Sequence, residues 1–295
     1  MKLKYVLVTA ARNEEANIGR TIQSVIAQTV LPDKWIIVSD GSTDRTDDIV
    51  KEYTKMYQWI ELLRMPEHIK RNFAAKADCI NAAYEAVKEV QFDLIGNLDA
   101  DVSFEKDFFE FLLQKFNEIA KLGVAGTHYL EDDWIPVYSF KDVAGQCQLF
   151  RRECFEQIGG YIHSVYGGID NIAVLTARMK GWRTQTFAER TFFHHRKMST
   201  AESNRWRANI KHGREDYLLG NHPLWEMFRI VYQIAKKPYI IGSIMLLYGY
   251  IKALVNRIER PVSKEFVDFY RKEQMKRLKA ILGNLLRGRI NLEET

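Results

Sequence analysis

The chain has 295 residues, 46% of them hydrophobic and 12% aromatic, with a net charge of +5. It is about twice the usual domain length and too apolar for a disordered chain. Three cysteines, Cys79, Cys147 and Cys154, cannot pair completely and match no zinc or disulfide spacing, which excludes a disulfide scaffold and points to a reducing compartment. The opening residues turn acidic and polar too soon for a signal peptide, so a cytoplasmic protein is expected. Charge is unevenly spread. Residues 1–204 carry 25 Lys/Arg against 29 Asp/Glu, and residues 205–295 carry 18 against 9. A basic last third suits an anionic surface; a solvated, lysine-rich helical face is the plainer alternative.

The first hundred residues alternate between strand and helix. Tyr5–Val8 is a short apolar run, as in a strand buried on both faces, and Ile18, Ile22, Val25 and Ile26 follow at helical spacing. Trp35–Val38 predicts the second strand, Ile49–Tyr57 the second helix and Ile60–Leu63 the third strand. A helix over 74–87 and a strand over 93–98 complete the series. Repeats of this length imply right-handed crossovers and a mostly parallel sheet flanked by helices, an α/β fold. Beyond residue 104 the pattern loosens: a helix is expected near 106–122, a strand near 124–129 and a helix over 172–180. After His194-His195-Arg196 the chain reads as helical, basic and aromatic.

Ligands of such sheets bind beyond the carboxyl ends of the strands, and polar residues collect there. Asp99 and Asp101, at i and i+2 on an extended segment, point the same way. Two carboxylates facing one point suit a hard cation, Mg²⁺ or Mn²⁺, although an Asp-x-Asp also occurs in turns and caps. Ser39-Asp40-Gly41-Ser42-Thr43-Asp44 closes the second strand; Asp40 could accept a hydrogen bond from a base or ribose, or the loop could simply cap the next helix.

These segments, with Thr9-Ala10-Ala11-Arg12-Asn13-Glu14-Glu15 after the first strand, resemble family 2 inverting glycosyltransferases of the GT-A fold over roughly residues 4–200. The resemblance implies a GT-A catalytic domain over 1–200, with a nucleotide-sugar half (1–103) and an acceptor half (104–200). A basic helical extension over 201–295 would follow. By position it places Asp40, Ala10, Arg12 and Glu14 around the nucleotide, and Lys76 and Asn81 along the nucleoside diphosphate. Asp99 falls at the ribose and metal, and Asp101 at the metal. The family often has two aspartates before the glycine, whereas here the first is Ser39.

Asp170, in Gly167-Gly168-Ile169-Asp170-Asn171, matches the catalytic base, a role compatible with capping the following helix. Adjacent histidines on a strand face opposite ways, so one of His194 and His195 can meet the metal, with His194 preferred. Arg196 could clamp phosphate oxygens. Arg205-Trp206 approaches the Gln-x-x-Arg-Trp acceptor motif of processive relatives, with Glu202 at its first position. The implied activity is non-processive sugar transfer from a UDP-, GDP- or dTDP-sugar to a glycan or lipid-linked acceptor, with Mn²⁺ or Mg²⁺ as cofactor and no nucleic-acid partner.

Two rivals stand beside this reading. A nucleotidyltransferase also sets an Asp-x-Asp on an α/β sheet, yet the loop after the first strand here has no glycine. The other is a non-catalytic nucleotide-sugar-binding or membrane scaffold. Residues 239–255 form an apolar run shorter than the roughly 20 residues of a bilayer span. With Lys236, Lys237, Arg257 and Arg260 around it, the run suits a helix lying in an anionic interface at the inner face of the cell membrane. Packing on the catalytic domain or on a second copy is the alternative.

Overall fold

The computed structural model describes residues 3–66, 73–131, 140–196 and 205–287, the side chains of Phe73 and Arg205 excepted. The chain divides into two compact units, Met1–Arg196 and Lys197–Thr295.

In the first unit, β1 (Tyr5–Ala11), α1 (Ile18–Ile26), β2 (Lys34–Ser39), α2 (Thr46–Met56), β3 (Ile60–Arg64), α3 (Phe73–Val87) and β4 (Leu94–Asp99) follow the alternation read from the sequence. β1 is buried on both faces, so its period-two side chains feed two separate cores. Tyr5 and Leu7 pack with Ile18, Ile22 and Phe109; Val6 and Val8 pack with Ala77, Ile80 and Ala83. Fully burying each such side chain contributes about 1.5–3 kcal/mol, which holds β1 as the central layer.

Then come β5 (Val102–Phe104), α4 (Phe108–Glu118), β6 (Leu122–Leu130), β7 (Cys147–Arg151), α5 (Arg152–Ile158), α6 (Ile169–Met179) and β8 (Arg183–His194). The sheet order is β3-β2-β1-β4-β7-β6-β8-β5. Pairings among β3, β2, β1 and β4 are parallel, and β6 pairs β8 parallel, whereas β4–β7, β6–β7 and β5–β8 are antiparallel. Expectation and structure differ in this half. α4 ends four residues before the expected 122, because Leu122 already begins β6. The elements β5, β7 and α5 had no signal of their own in the sequence.

The order β3-β2-β1-β4 puts a topological switch at β1, where the chain leaves on one side and returns on the other. Register aligns Ala10 with both Val38 and Asp99, bringing the carboxyl ends of the three strands level.

The second unit is helical: α7 (Arg205–Leu219), α8 (Pro223–Ile234), α9 (Tyr239–Val255) and α10 (Lys264–Leu286). α8 starts with His222 Nδ1 accepting from the Leu224 N–H at 3.2 Å and Pro223 in its first turn, and α10 with Ser263 Oγ accepting from the Phe266 N–H at 3.1 Å. α7 and α9 approach so closely that a Cβ on Gly213 would lie 1.9 Å from the Leu246 carbonyl oxygen, and one on Gly249 2.1 Å from that of Ile210. Arg229 pairs with buried Asp216, while Asn221 donates to Glu226 at 2.9 Å and accepts from Gln274 at 2.7 Å. No helix among the described residues is long and apolar enough to cross a membrane.

Candidate active site

The loops after β1 and β2 are laced together. Asn13 N–H donates to Ser42 Oγ at 3.2 Å, and Asn13 Oδ1 accepts from the Thr43 N–H at 2.8 Å. Glu14 N–H donates to Thr46 Oγ1 at 2.7 Å, Glu15 N–H to Asp44 Oδ2 at 3.0 Å, and Arg45 N–H to Glu15 Oε2 at 3.1 Å. Asp44 is therefore a tie between loops and the start of α2, while Asp40 donates its N–H to the Ala11 carbonyl at 2.9 Å and has Arg12 Nη1 3.5 Å from its Oδ2. Gly41 turns the chain after Asp40 with φ of 65°, a left-handed conformation suited to glycine. Behind Asp40, burial first and then the Asp40 charge push the Cys79 thiol up to about 12, so that thiol is unreactive.

Asp99 ends β4, its N–H donating to the Gln146 carbonyl at 2.9 Å. Lys76, one turn into α3, donates to Asp99 Oδ1 at 2.5 Å. Burial works against the Lys76 charge, yet Asp99, then Asp170 and Asp101, hold its pKa above the ordinary lysine value. Carboxylates from two distant stretches of the sequence, Asp99 with Asp101 and Asp170, thus act on one ammonium group.

Asp170 sits in the first turn of α6, where the helix dipole favours an anion. Its carboxylate lies against the Gly145 backbone: a Cβ at Gly145 would come within 2.0 Å of Asp170 Oδ2. The neighbouring support is also polar. Asn97 Nδ2 donates to the Gly145 carbonyl at 3.1 Å, Tyr161 hydroxyl to Gln148 Oε1 at 2.5 Å, and Gln148 Nε2 to the Val143 carbonyl at 2.9 Å.

Asp101 is buried; desolvation first, then the Asp99 charge, raise its pKa against the opposing pull of His194, Arg196 and Lys76. His194 Nε2 lies 3.6 Å from Asp101 Oδ1, and its Nδ1 3.8 Å from Glu131 Oε2. His195 turns the other way, bonding Arg20 through Nδ1 at 3.0 Å and Ser103 through Nε2 at 2.7 Å. Burial first, then Arg20 and His194, lower its pKa. Arg196 joins Glu14, after β1, to Asp101 Oδ2 at 3.4 Å.

Asn81, expected along the nucleoside diphosphate, bonds a backbone segment. Its amide donates to the Tyr161 carbonyl at 2.7 Å and accepts from the Tyr161 N–H at 3.0 Å, clamping the loop after Gly160. Residues 202–204 and the Arg205 side chain lie outside the described residues, and Trp206 is an exposed residue of the second unit. Glu131 and Gly145 carried no sequence signal of a site; only the acid following an apolar strand could have drawn attention to Glu131.

Asp101 Oδ1 and His194 Nδ1 are buried without a hydrogen-bond partner, an oxygen and nitrogen donor set suited to Mn²⁺. Among the described residues no three His, Cys, Asp or Glu converge closely enough to hold a metal ion, Asp99 being turned to Lys76.

Residues 6–134 match the model of glycosyl transferase family 2. A beta-monoglucosyldiacylglycerol synthase of Synechocystis sp. is 26% identical over 52% of this chain and 36% of that protein. A dolichyl-phosphate beta-glucosyltransferase of Trichomonas vaginalis is 29% identical over 39% of this chain, again 36% of its own length. The chain thus matches little more than a third of each relative. Among solved structures, a mannosyltransferase from Pyrobaculum calidifontis in complex with GDP-Man and Mn²⁺ superposes with TM-score 0.61 at 16% identity, covering 97% of this chain and 88% of that one. S. aureus TarS 1–349 in complex with UDP-GlcNAc gives 0.57 at 12% identity, covering 98% and 88%. These likenesses show the GT-A fold.

Proposed function

We propose that this chain, whose residues 6–134 belong to glycosyl transferase family 2, moves a sugar from a nucleoside-diphosphate donor to an acceptor hydroxyl in one inverting displacement. The reading rests on one observation above all: Asp99, Asp101 and Asp170 act together on Lys76 at the switch point of the sheet.

Asp40 and Arg12 form the wall that receives the base, with Ala10 at the strand end beneath and Glu14 beside it. Lys76 and Arg196 are the cations that meet the diphosphate, exchanging their carboxylate partners for phosphate oxygens of like charge. Asp170 takes the proton of the acceptor hydroxyl onto its carboxylate as the oxygen attacks the anomeric carbon from the face opposite the leaving group. One base and one displacement give inversion.

With Lys76 turned to the diphosphate, Asp99 would be released to join Asp101 and His194 in holding a divalent ion, Mn²⁺ or Mg²⁺. Such an ion, when bound, supplies stabilisation of the negative charge left on the departing diphosphate. The names of a monoglucosyldiacylglycerol synthase, a glucosyltransferase and a mannosyltransferase favour this chemistry over nucleotidyl transfer. Two of those names carry lipid acceptors, diacylglycerol and dolichyl phosphate, which supports a lipid-linked acceptor here.

The test is a thermal-shift series with UDP-, GDP- and dTDP-sugars, with and without Mn²⁺, on the full chain. A donor bound only by the folded state raises the melting point by mass action. One nucleotide should do so, more strongly with Mn²⁺, and should still do so in Asp170→Asn while transfer is lost. No shift from any of the three overturns the reading.

A further inference from the structure

The second unit inverts the usual logic of a water-facing helix. On α9 the buried positions are small, Gly242, Ser243, Gly249 and Ala253, with Leu246, and they let α7 pack against backbone. The large apolar residues face outward instead: Ile240 is 63% exposed, Ile244 54% and Val255 71%. α8, tied to α9 by Ser243 Oγ donating to the Ile230 carbonyl at 2.9 Å, repeats the pattern. Leu224, Met227, Val231 and Ile234, at helical spacing along one stripe, are all exposed. Single exposed apolar residues are ordinary, but contiguous stripes on two adjoining helices mark a surface that is covered in use.

Charge selects what covers it. From Met227 to Ile258 the sequence has no Asp or Glu, and it carries Lys236, Lys237, Lys252 and Arg257 exposed. Two of these cations lie over tyrosine rings at the margin, Lys236 Nζ 4.5 Å from the Tyr232 centroid and Lys252 Nζ 5.6 Å from that of Tyr248. A second copy placed face to face would set cation against cation. An anionic bilayer surface satisfies both the apolar stripes and the cations, with tyrosines at headgroup level. No helix among the described residues is both long and apolar enough to cross a membrane.

We propose that the α8–α9 face of this chain docks in the interfacial layer of a membrane containing anionic phospholipid. The proposal is independent of the chemistry assigned to the first unit. It is tested by sedimentation of the full chain with vesicles of phosphatidylcholine alone or mixed with phosphatidylglycerol, at low and high salt. Binding is expected to the mixed vesicles, to weaken with salt, and to fall about fivefold for each lysine removed in Lys236→Gln and Lys237→Gln. The exposed pair Ile240→Glu with Ile244→Glu should keep the wild-type melting temperature and bind at least about tenfold more weakly. No vesicle binding by the folded wild type overturns the proposal. So does undiminished binding by the lysine variants or by the isoleucine pair, or conversion by that pair of a dimer into a monomer without vesicle binding, which would assign the face to a second copy.

Discussion

Lys76 and Asp99, on α3 and at the end of β4, are joined across the switch point by a 2.5 Å hydrogen bond. The lysine neutralises a site crowded with carboxylates before any ligand is present. Lys76→Gln should therefore weaken donor binding by at least about tenfold, the loss expected for a charge-assisted hydrogen bond of roughly 1.5–3 kcal/mol. Donor titration by calorimetry measures it. Unchanged affinity would mean that Lys76 serves the empty site alone.

Gly145 leaves the space that the Asp170 carboxylate fills. A methyl group there would stand 2.0 Å from Oδ2, so Gly145→Ala must displace the acid. Turnover should drop about a hundredfold, as for a misplacement near 1 Å, while donor-induced thermal stabilisation persists. A variant with normal kcat would place the base elsewhere.

The two acids should separate in their effects. Asp99→Ala and Asp170→Asn are each expected to cut turnover by at least about a hundredfold. Only the first should also reduce donor affinity, because Asp99 bonds Lys76, the cation proposed to meet the diphosphate, whereas Asp170 lies on α6. Steady-state kinetics combined with donor titration tell the two apart.

Stability should depend on pH through the second unit. Asp216 is held above the usual carboxylate range, first by burial and then by Glu226, against the pull of Arg229; Glu226 is raised as well. The folded state therefore keeps protons that the unfolded chain has released. Stability is greatest below the unfolded carboxylate pKa and declines as pH rises through the raised folded values. Asp216→Asn should flatten that decline in melting temperature recorded from acid to neutral pH. An equally steep wild-type-like slope in the variant would move the effect to other groups.

The sequence was most informative where one strand serves two cores. Tyr5–Val8 and Trp35–Val38 are apolar without alternation, and the acids that follow them stand out for that reason. β7 is different: Gln148 interrupts its apolar run, and its antiparallel pairing with β4 follows from tertiary contacts. Three-residue β5 is too short to show a period. The same limit applies around the site. Asn81 has the composition of a ligand-facing residue and is a loop clamp because Gly160 brings the Tyr161 backbone to it. His194 and His195 could be assigned opposite faces from strand geometry, but Glu131 beside the first becomes visible only when β6 lies next to β8.

Asn13, Glu14 and Glu15 are each bonded into the 42–46 turn, so two strand-end segments behave as a single pre-shaped wall. Fixing a residue's backbone costs about 1–2 kcal/mol, and here that ordering is completed when the chain folds. Under the proposed function, discrimination between one purine or pyrimidine ring and another then falls to side chains projecting from a settled backbone. Exchanging Arg12 or Ser39 could retune that choice without rebuilding the loops that carry them.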